Sequence, residues 1–135
     1  MKIVSFNGSP KGKNSNTNVM IEALLRGLKS DNTKIENIYL ADKKINYCRG
    51  CHSCWFKTPG KCVINDDMKA ILAMMQHTNL FKFGTPLYFN NISGTLKVFF
   101  DRLIAAGGNP HKEKDIQGPQ KIPNIRRLVY TIISP

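Results

Sequence analysis

Four cysteines stand close together in this chain: Cys48, Cys51, Cys54 and Cys62, spaced C-x2-C-x2-C-x7-C. Thiolates are soft ligands for iron and zinc, and three at this interval can reach one iron–sulfur cubane. Pro59 and Gly60 supply a turn by which Cys62 can fold back as the fourth ligand of a [4Fe-4S] group. A four-cysteine zinc site favours two separated C-x2-C pairs over three cysteines in series. Unligated thiols fit the same letters, so spacing alone leaves cluster, zinc and free thiols open. His52 reads as an exposed loop residue between ligands. Trp55 and Phe56 read as packing groups of the loop or of a neighbouring subunit.

A second group of polar residues follows the first apolar run, as Gly8-Ser9-Pro10-Lys11-Gly12-Lys13-Asn14-Ser15-Asn16-Thr17. Where such a loop opens a helix, unpaired backbone N–H groups and the positive end of the dipole make an anion site. Ser9, Ser15, Asn16 and Thr17 add hydroxyl and amide donors, Lys11 adds charge, and small residues let the backbone close round a phosphate. The loop is neither a dinucleotide fingerprint (G-x-G-x-x-G) nor a Walker loop (G-K-S/T). A plain polar loop with Thr17 as N-cap reads equally well from these residues alone.

The elements that must position these groups follow from periodicity. Residues 2–6 read as a strand, broken at Asn7-Gly8-Ser9-Pro10. A helix is expected from Thr17, with Val19, Met20, Ala23, Leu24 and Leu28 as its apolar stripe. Residues 33–40 alternate as a second strand, and 47–62 have no usable period and read as a loop. Asp66 caps a second helix carrying Met68, Ile71, Leu72 and Met75. Residues 80–84 form a third strand closed by Gly84-Thr85-Pro86. Ser93 caps a third helix with a stripe of Leu96, Phe99, Phe100, Leu103 and Ile104. Segment 107–124, rich in Gly, Pro and charge, is longer than ordinary connections, and 127–133 reads as a fourth strand. Strands alternating with helices imply a parallel sheet with ligands at the carboxyl ends of its strands. Lys82 interrupts a strand that should be buried on both faces.

Composition narrows the function classes. The 135 residues make one domain's worth of chain, 41% hydrophobic and 21% charged. The first apolar run is too short for a signal peptide and nothing approaches a bilayer span, so a cytoplasmic location off the membrane is expected. Twenty Lys and Arg against 9 Asp and Glu leave a net charge of +11, which favours anionic partners. The basic residues are scattered and carry no nucleic-acid motif, which makes a solvated basic face the expectation. A low-molecular-weight tyrosine phosphatase needs a C-x5-R loop after the first strand; the first cysteine is Cys48, and that class is excluded. A zinc-binding basic adaptor without redox activity would use the charge and the cysteines but leave 8–17 and 84–91 idle.

The stretches NGSPKGKNSNT after the first strand and FGTPLYFNNISGTLKVFFDR over 83–102 resemble the NADPH-dependent FMN reductases and iron-sulfur flavoproteins. The resemblance implies a flavodoxin-like doubly wound parallel sheet, lacking the family's last strand and terminal helix, as a single FMN-binding domain over 1–135. The chain stops at Ser134-Pro135, so it reads as naturally short, a fragment, or completed by a partner. By resemblance Ser9, Lys11, Ser15, Asn16 and Thr17 hold the FMN phosphate. Pro86, Leu87, Tyr88, Phe89 and Asn90 line the flavin ring, and Ser134 approaches it after the fourth strand. The cysteines correspond to the [4Fe-4S] ligands of the iron-sulfur flavoproteins. The implied activity is an FMN-dependent oxidoreductase or electron-transfer flavoprotein, using NADH, NADPH or a redox partner protein and needing no catalytic side chain. Relatives of this kind are commonly oligomeric, which makes a homo-oligomer the expectation.

Overall fold

The computed structural model describes residues 1–107 and the strand at 128–133. Beyond Gly107 the irregular segment expected over 107–124 lies outside the described residues, as does Ser134. The elements are β1 (Lys2–Asn7), α1 (Asn16–Gly27), β2 (Lys34–Tyr39), α2 (Ser53–Phe56), α3 (Met68–Met75), β3 (Leu80–Pro86), α4 (Gly94–Arg102) and β4 (Leu128–Ile133). All pairings are parallel and the strand order is β2-β1-β3-β4. This is the doubly wound sheet expected from the alternation of elements. Its connections change direction between β1 and β3, the topological switch point where such sheets bind ligands. Among the described residues, no helix is long and apolar enough to cross a membrane.

Contacts divide the chain into two compact units. One comprises Met1–Lys43, Thr78–Lys97 and Ile125–Pro135, and the other Lys44–His77 and Val98–Asn124. The first holds the sheet. Ile3, Val4 and Phe6 are wholly buried, so both faces of β1 are covered as in a central parallel strand, with Ser5 the polar interruption. Phe6 stacks on Phe81 and Phe83 at centroid distances of 6.4 and 5.4 Å. On the other face Ile3 packs with Ile21 and Leu25 of α1, joined by Leu28, Ile35 and Leu80. In the second unit Met68, Ile71 and Met75 are the buried positions of α3. Val98–Asn124 contributes buried Phe99.

Of the stripe expected on the first helix, Leu28 packs against the core and the rest faces outward. Val19, Met20 and Leu24 are exposed, at 63%, 47% and 39%, and Ala23 is exposed with them. The buried positions are Thr17, Asn18, Ile21 and Leu25. The sheet beneath α1 presents the bare backbone of Gly84, and Ile21 and Thr17 pack into the space its missing side chain leaves. That packing sets the helix phase, and Leu25 follows at the next turn. The helix starts at Asn16, and its N-cap is Ser15, whose Oγ accepts from the Asn18 N–H at 3.0 Å. Thr17 is therefore not the cap. Segment 47–62, expected as loop throughout, contains the single turn α2.

Lys82 is the anomaly its sequence position suggested. It lies in the central strand β3 and is 2% exposed. In register it sits beside Ser5, which sits beside Asn37, so the three form one row across β3, β1 and β2. Asn37 Nδ2 donates to Asn18 Oδ1 of α1 at 3.0 Å. Lys82 Nζ, Ser5 Oγ and Asn37 Oδ1 are buried without hydrogen-bond partners. Burial pushes the Lys82 amine down from its ordinary 10.5 to about 8. The charged form is disfavoured in the folded state, so its full cost falls below pH 8 and fades as the pH rises toward 10.5. Lys82→Met is expected to stabilise the fold by up to ~3 kcal/mol at pH 7, at 1.36 kcal/mol per pKa unit. Urea denaturation should show this gain at pH 7 and its decline by pH 10; an unchanged or lowered midpoint at pH 7 contradicts it.

Candidate functional site

Two loops leave the carboxyl ends of the adjacent strands β1 and β3, and backbone contacts bind them together. The Gly8 N–H donates to Gly84 O at 2.7 Å. Ser93 Oγ donates to Gly8 O at 2.5 Å and accepts from the Leu96 N–H at 3.2 Å, capping α4 as its sequence position implies. Thr85 Oγ1 accepts from the Ser93 N–H at 2.9 Å. Neither glycine has room for a side chain. A Cβ on Gly8 would lie 2.7 Å from Leu96 Cβ, and one on Gly84 would lie 2.5 Å from Ile21 Cδ1. Sequence reading took Gly8 and Gly84 as strand breaks, and their second role, close backbone approach, is visible only in three dimensions.

The loop after β1 is built from its own side chains. Asn7 Oδ1 accepts from the Ser9 N–H at 2.9 Å and Asn7 Nδ2 donates to Gly12 O at 3.3 Å. Ser9 Oγ accepts from the Lys11 N–H at 3.3 Å, and Ser15 Oγ donates to Gly12 O at 2.7 Å. Of the five residues predicted here, Ser9, Ser15 and Thr17 are buried and Lys11 and Asn16 exposed. The Ser15 proton is committed to Gly12, which makes Ser15 a builder of the loop. Asn16 and Thr17 form the first turn of α1, where backbone N–H groups have no intrahelical acceptor. Together with exposed Lys11 in the preceding loop, they supply donors of the kind an anion requires.

The loop after β3 carries Pro86, Leu87, Tyr88, Phe89 and Asn90. Tyr88 and Asn91 exchange two backbone hydrogen bonds of 2.9 and 3.0 Å around a two-residue turn. Both central residues are left-handed, Phe89 at φ 48° and Asn90 at φ 58°. Asparagine accepts that conformation readily and phenylalanine does not, so the turn holds Phe89 under strain. Its ring is fully exposed and Tyr88 is 44% exposed. Leu87 is half-buried and Pro86 buried.

In the second unit, all four cysteines are free and line one cavity of about 20 Å³, with Arg49, Arg102 and Ile104 also on its wall. The loop turns on left-handed Gly50 and His52, at φ 62° and 51°. Trp55 Nε1 donates to Ile104 O at 3.2 Å and its ring lies 4.9 Å from that of exposed His52. Phe56 is 62% exposed. Hydrogen bonds from Ser53, side chain and then backbone, lower the pKa of Cys51, whereas burial and then the Cys62 sulfur raise that of Cys54. Among the described residues no three His, Cys, Asp or Glu side chains are gathered as a single metal ion requires. The donor set suits an iron–sulfur group, and a cavity with room for about one water means the loop must open to take one in.

Sequence reading missed the residue that anchors this wall. Arg102, with its side chain 1% exposed, donates from Nη1 to Asp66 Oδ2 and to Asn46 O at 2.7 Å each, and from Nη2 to Asp66 Oδ1 at 3.1 Å. Asp66 also accepts from the Asn46 N–H at 2.9 Å and from the Met68 N–H at 3.2 Å; the N-cap of α3 is Asp67, one residue after the expected cap, and Asp66 reaches the first helical N–H from outside the helix. Burial works against the Asp66 carboxylate, but Arg102 and Asn46 outweigh it and hold its pKa at about 2. Burial likewise works against the Arg102 cation, and Asp66 and the nearby Cys62 sulfur outweigh it, raising its pKa. Nothing in the spacing of the sequence links the two residues.

The sequence profile of the NADPH-dependent FMN reductases matches residues 1–117. An iron-sulfur flavoprotein of Archaeoglobus fulgidus is 34% identical over 110 residues, 82% of this chain and 49% of its own length. One from Methanocaldococcus jannaschii is 37% identical over 102 residues, 76% of this chain and 51% of its own length. The chain thus spans about half the length of these curated relatives. Among solved structures, an FMN-dependent NADH-azoreductase from Bacillus anthracis, in complex with FMN, superposes with a TM-score of 0.68. It is 21% identical, over 99% of this chain and 69% of that one, which speaks to the fold.

Asp66→Ala leaves a buried guanidinium without its counter-charge and is expected to cost about 3–5 kcal/mol. Because the folded-state pKa of Asp66 is depressed from 3.8 to about 2, its stabilising contribution is complete above pH 3.8 and is lost as the pH falls through 2. Urea melts at pH 7 and an acid titration by circular dichroism check both statements; a variant as stable as the parent at pH 7 contradicts the first.

Proposed function

The chain belongs to the NADPH-dependent FMN reductase family, and from that premise we propose that it is an FMN-binding oxidoreductase of the iron-sulfur flavoprotein type. The observation that carries this reading is the Gly8–Gly84 backbone bond with its Ser93 brace, which joins the loops after β1 and β3 at the switch point of the sheet. On one side Lys11, Asn16, Thr17 and the loop backbone offer open donors and charge for the FMN phosphate, on a frame built by Ser9 and Ser15. On the other, Pro86, Leu87, Tyr88, Phe89 and Asn90 offer apolar and aromatic area for the flat ring. The residues fit the group. Ser134, assigned to the ring by resemblance, lies outside the described residues.

Bound there, FMN supplies hydride and single-electron chemistry at its ring, and no side chain is needed as general acid or base. The chain's own work is to fix the phosphate at a helix N-terminus and hold the ring against the second loop. NADH or NADPH is the proposed hydride donor, or a protein electron donor. Cys48, Cys51, Cys54 and Cys62 are the proposed ligands of a [4Fe-4S] group, which supplies single-electron exchange. The zinc-binding adaptor reading has no support from the family match, and it leaves both loops without a role. We assign the protein a homo-oligomeric state, supported by the apolar outward face of α1 at Val19, Met20 and Leu24.

Anaerobic titration should quench FMN fluorescence with one site per chain, and Lys11→Ala should weaken binding about tenfold, worth ~1.4 kcal/mol. A protein that leaves FMN fluorescence unchanged contradicts the proposal. Light scattering during size-exclusion chromatography should give a multiple of 15.2 kDa; a folded, flavin-loaded monomer rules out the oligomer.

A further inference from the structure

Arg102 has five N–H bonds to place and the wall around it accepts most of them. Nη1 and Nη2 are held by Asp66 and the Asn46 carbonyl, which fixes the plane of the guanidinium. Nε is buried and has no hydrogen-bond partner. A buried N–H without an acceptor costs about 1–3 kcal/mol, and here it belongs to a side chain that lines the same cavity as all four cysteines. The Cys62 sulfur stands close enough to the guanidinium to interact with it. Asp66 already balances the charge of Arg102, so what this held guanidinium still has to offer on the cavity wall is its unpaired Nε–H.

We propose that Arg102 is a positioning residue whose Nε–H donates to the Cys62 sulfur when the four-thiolate site is filled, raising the reduction potential of the group held there. The inference rests on the [4Fe-4S] reading above. A hydrogen bond to a ligating sulfur stabilises the more negative, reduced form over the oxidised one, which is how outer partners tune such centres. Asp66 and Asn46 act through Arg102 by fixing the direction of that bond. Lysine at 102 keeps the charge but has no Nε–H fork, so it separates direction from charge.

The test uses the full chain, reconstituted anaerobically with iron and sulfide and reduced stepwise by dithionite while the spin signal of the reduced cluster is followed. Arg102→Lys should keep the parent's iron and sulfide content, yet show about a tenfold lower reduced-to-oxidised ratio at a fixed potential, which is 59 mV for one electron. A second arm does not depend on that variant folding. Protein labelled with 15N-arginine in an Arg49→Lys background should show hyperfine coupling between the reduced cluster and an arginine nitrogen. Parent iron content with an unmoved potential, or absence of the nitrogen coupling in cluster-loaded protein, overturns this proposal and leaves the cluster reading standing. Parent protein that takes up no iron or sulfide overturns the cluster reading itself, and this inference with it.

Discussion

The backbone of Gly8 meets the backbone of Gly84 at hydrogen-bond distance, and most of the binding end of the sheet depends on that contact. Two parallel strands can lie side by side with any residues at their ends, but their exit loops diverge unless something ties them. Here the tie is main chain to main chain, and it tolerates no Cβ on either partner. The missing side chain of Gly84 also fixes the phase of α1, because Thr17 and Ile21 occupy the space it leaves. Ser93 then reaches back to the Gly8 carbonyl while capping α4. One close approach thereby positions the helix N-terminus and both loops, without a side chain of its own.

Two buried cations show how the same cost is met in different ways. Arg102 enters the interior with a carboxylate in bidentate contact and a carbonyl beyond it, and each partner has a further role: Asp66 accepts from the first N–H of α3 and Asn46 anchors the start of the cysteine segment. Removing any member disturbs the others, which is the cooperativity of a satisfied buried network. Lys82 has no such partner, and its neighbours in the sheet row, Ser5 and Asn37, each hold an unmatched polar atom as well. An amine beside two orphaned oxygens is a destabilising row in the middle of an otherwise apolar sheet. The guanidinium network orders its loop, whereas the lysine row weakens the core that supports the other site.

The cysteine loop and the loops after β1 and β3 differ in how far the fold prepares them. The loop after β1 closes on itself through Asn7, Ser9 and Ser15 and leaves its donors open at the first turn of α1. The cysteines surround a cavity too small for a cluster, on a backbone bent at Gly50 and His52. Arg102 with Asp66 holds one side of that wall, and Trp55 ties the loop to Ile104. Part of the organisation of such a site comes with the group it binds, since ligand bonds are themselves folding energy.

What the sequence determined by itself were features with a local physical cause. Apolar runs bounded by Gly and Pro placed β1 and β3, a serine before an apolar period placed the start of α4, and close spacing put the four cysteines around one cavity. The loops after β1 and β3 were legible as loops because Gly, Pro, Ser and Asn interrupt the apolar periods there. The tertiary structure decided what depends on partners distant in the chain. Val19, Met20 and Leu24 make as regular a stripe as Ile21 and Leu25, and only the sheet beneath α1, with its bare patch at Gly84, chooses between the two faces. The start of α3 was legible to within a residue, at Asp67 where Asp66 was expected, because helix starts are local; the pairing of Asp66 with Arg102, 36 residues away, was not. Periodicity records which residues avoid water, but the identity of the surface that shields them, and of the charge that meets a buried charge, is settled only when the chain has closed on itself.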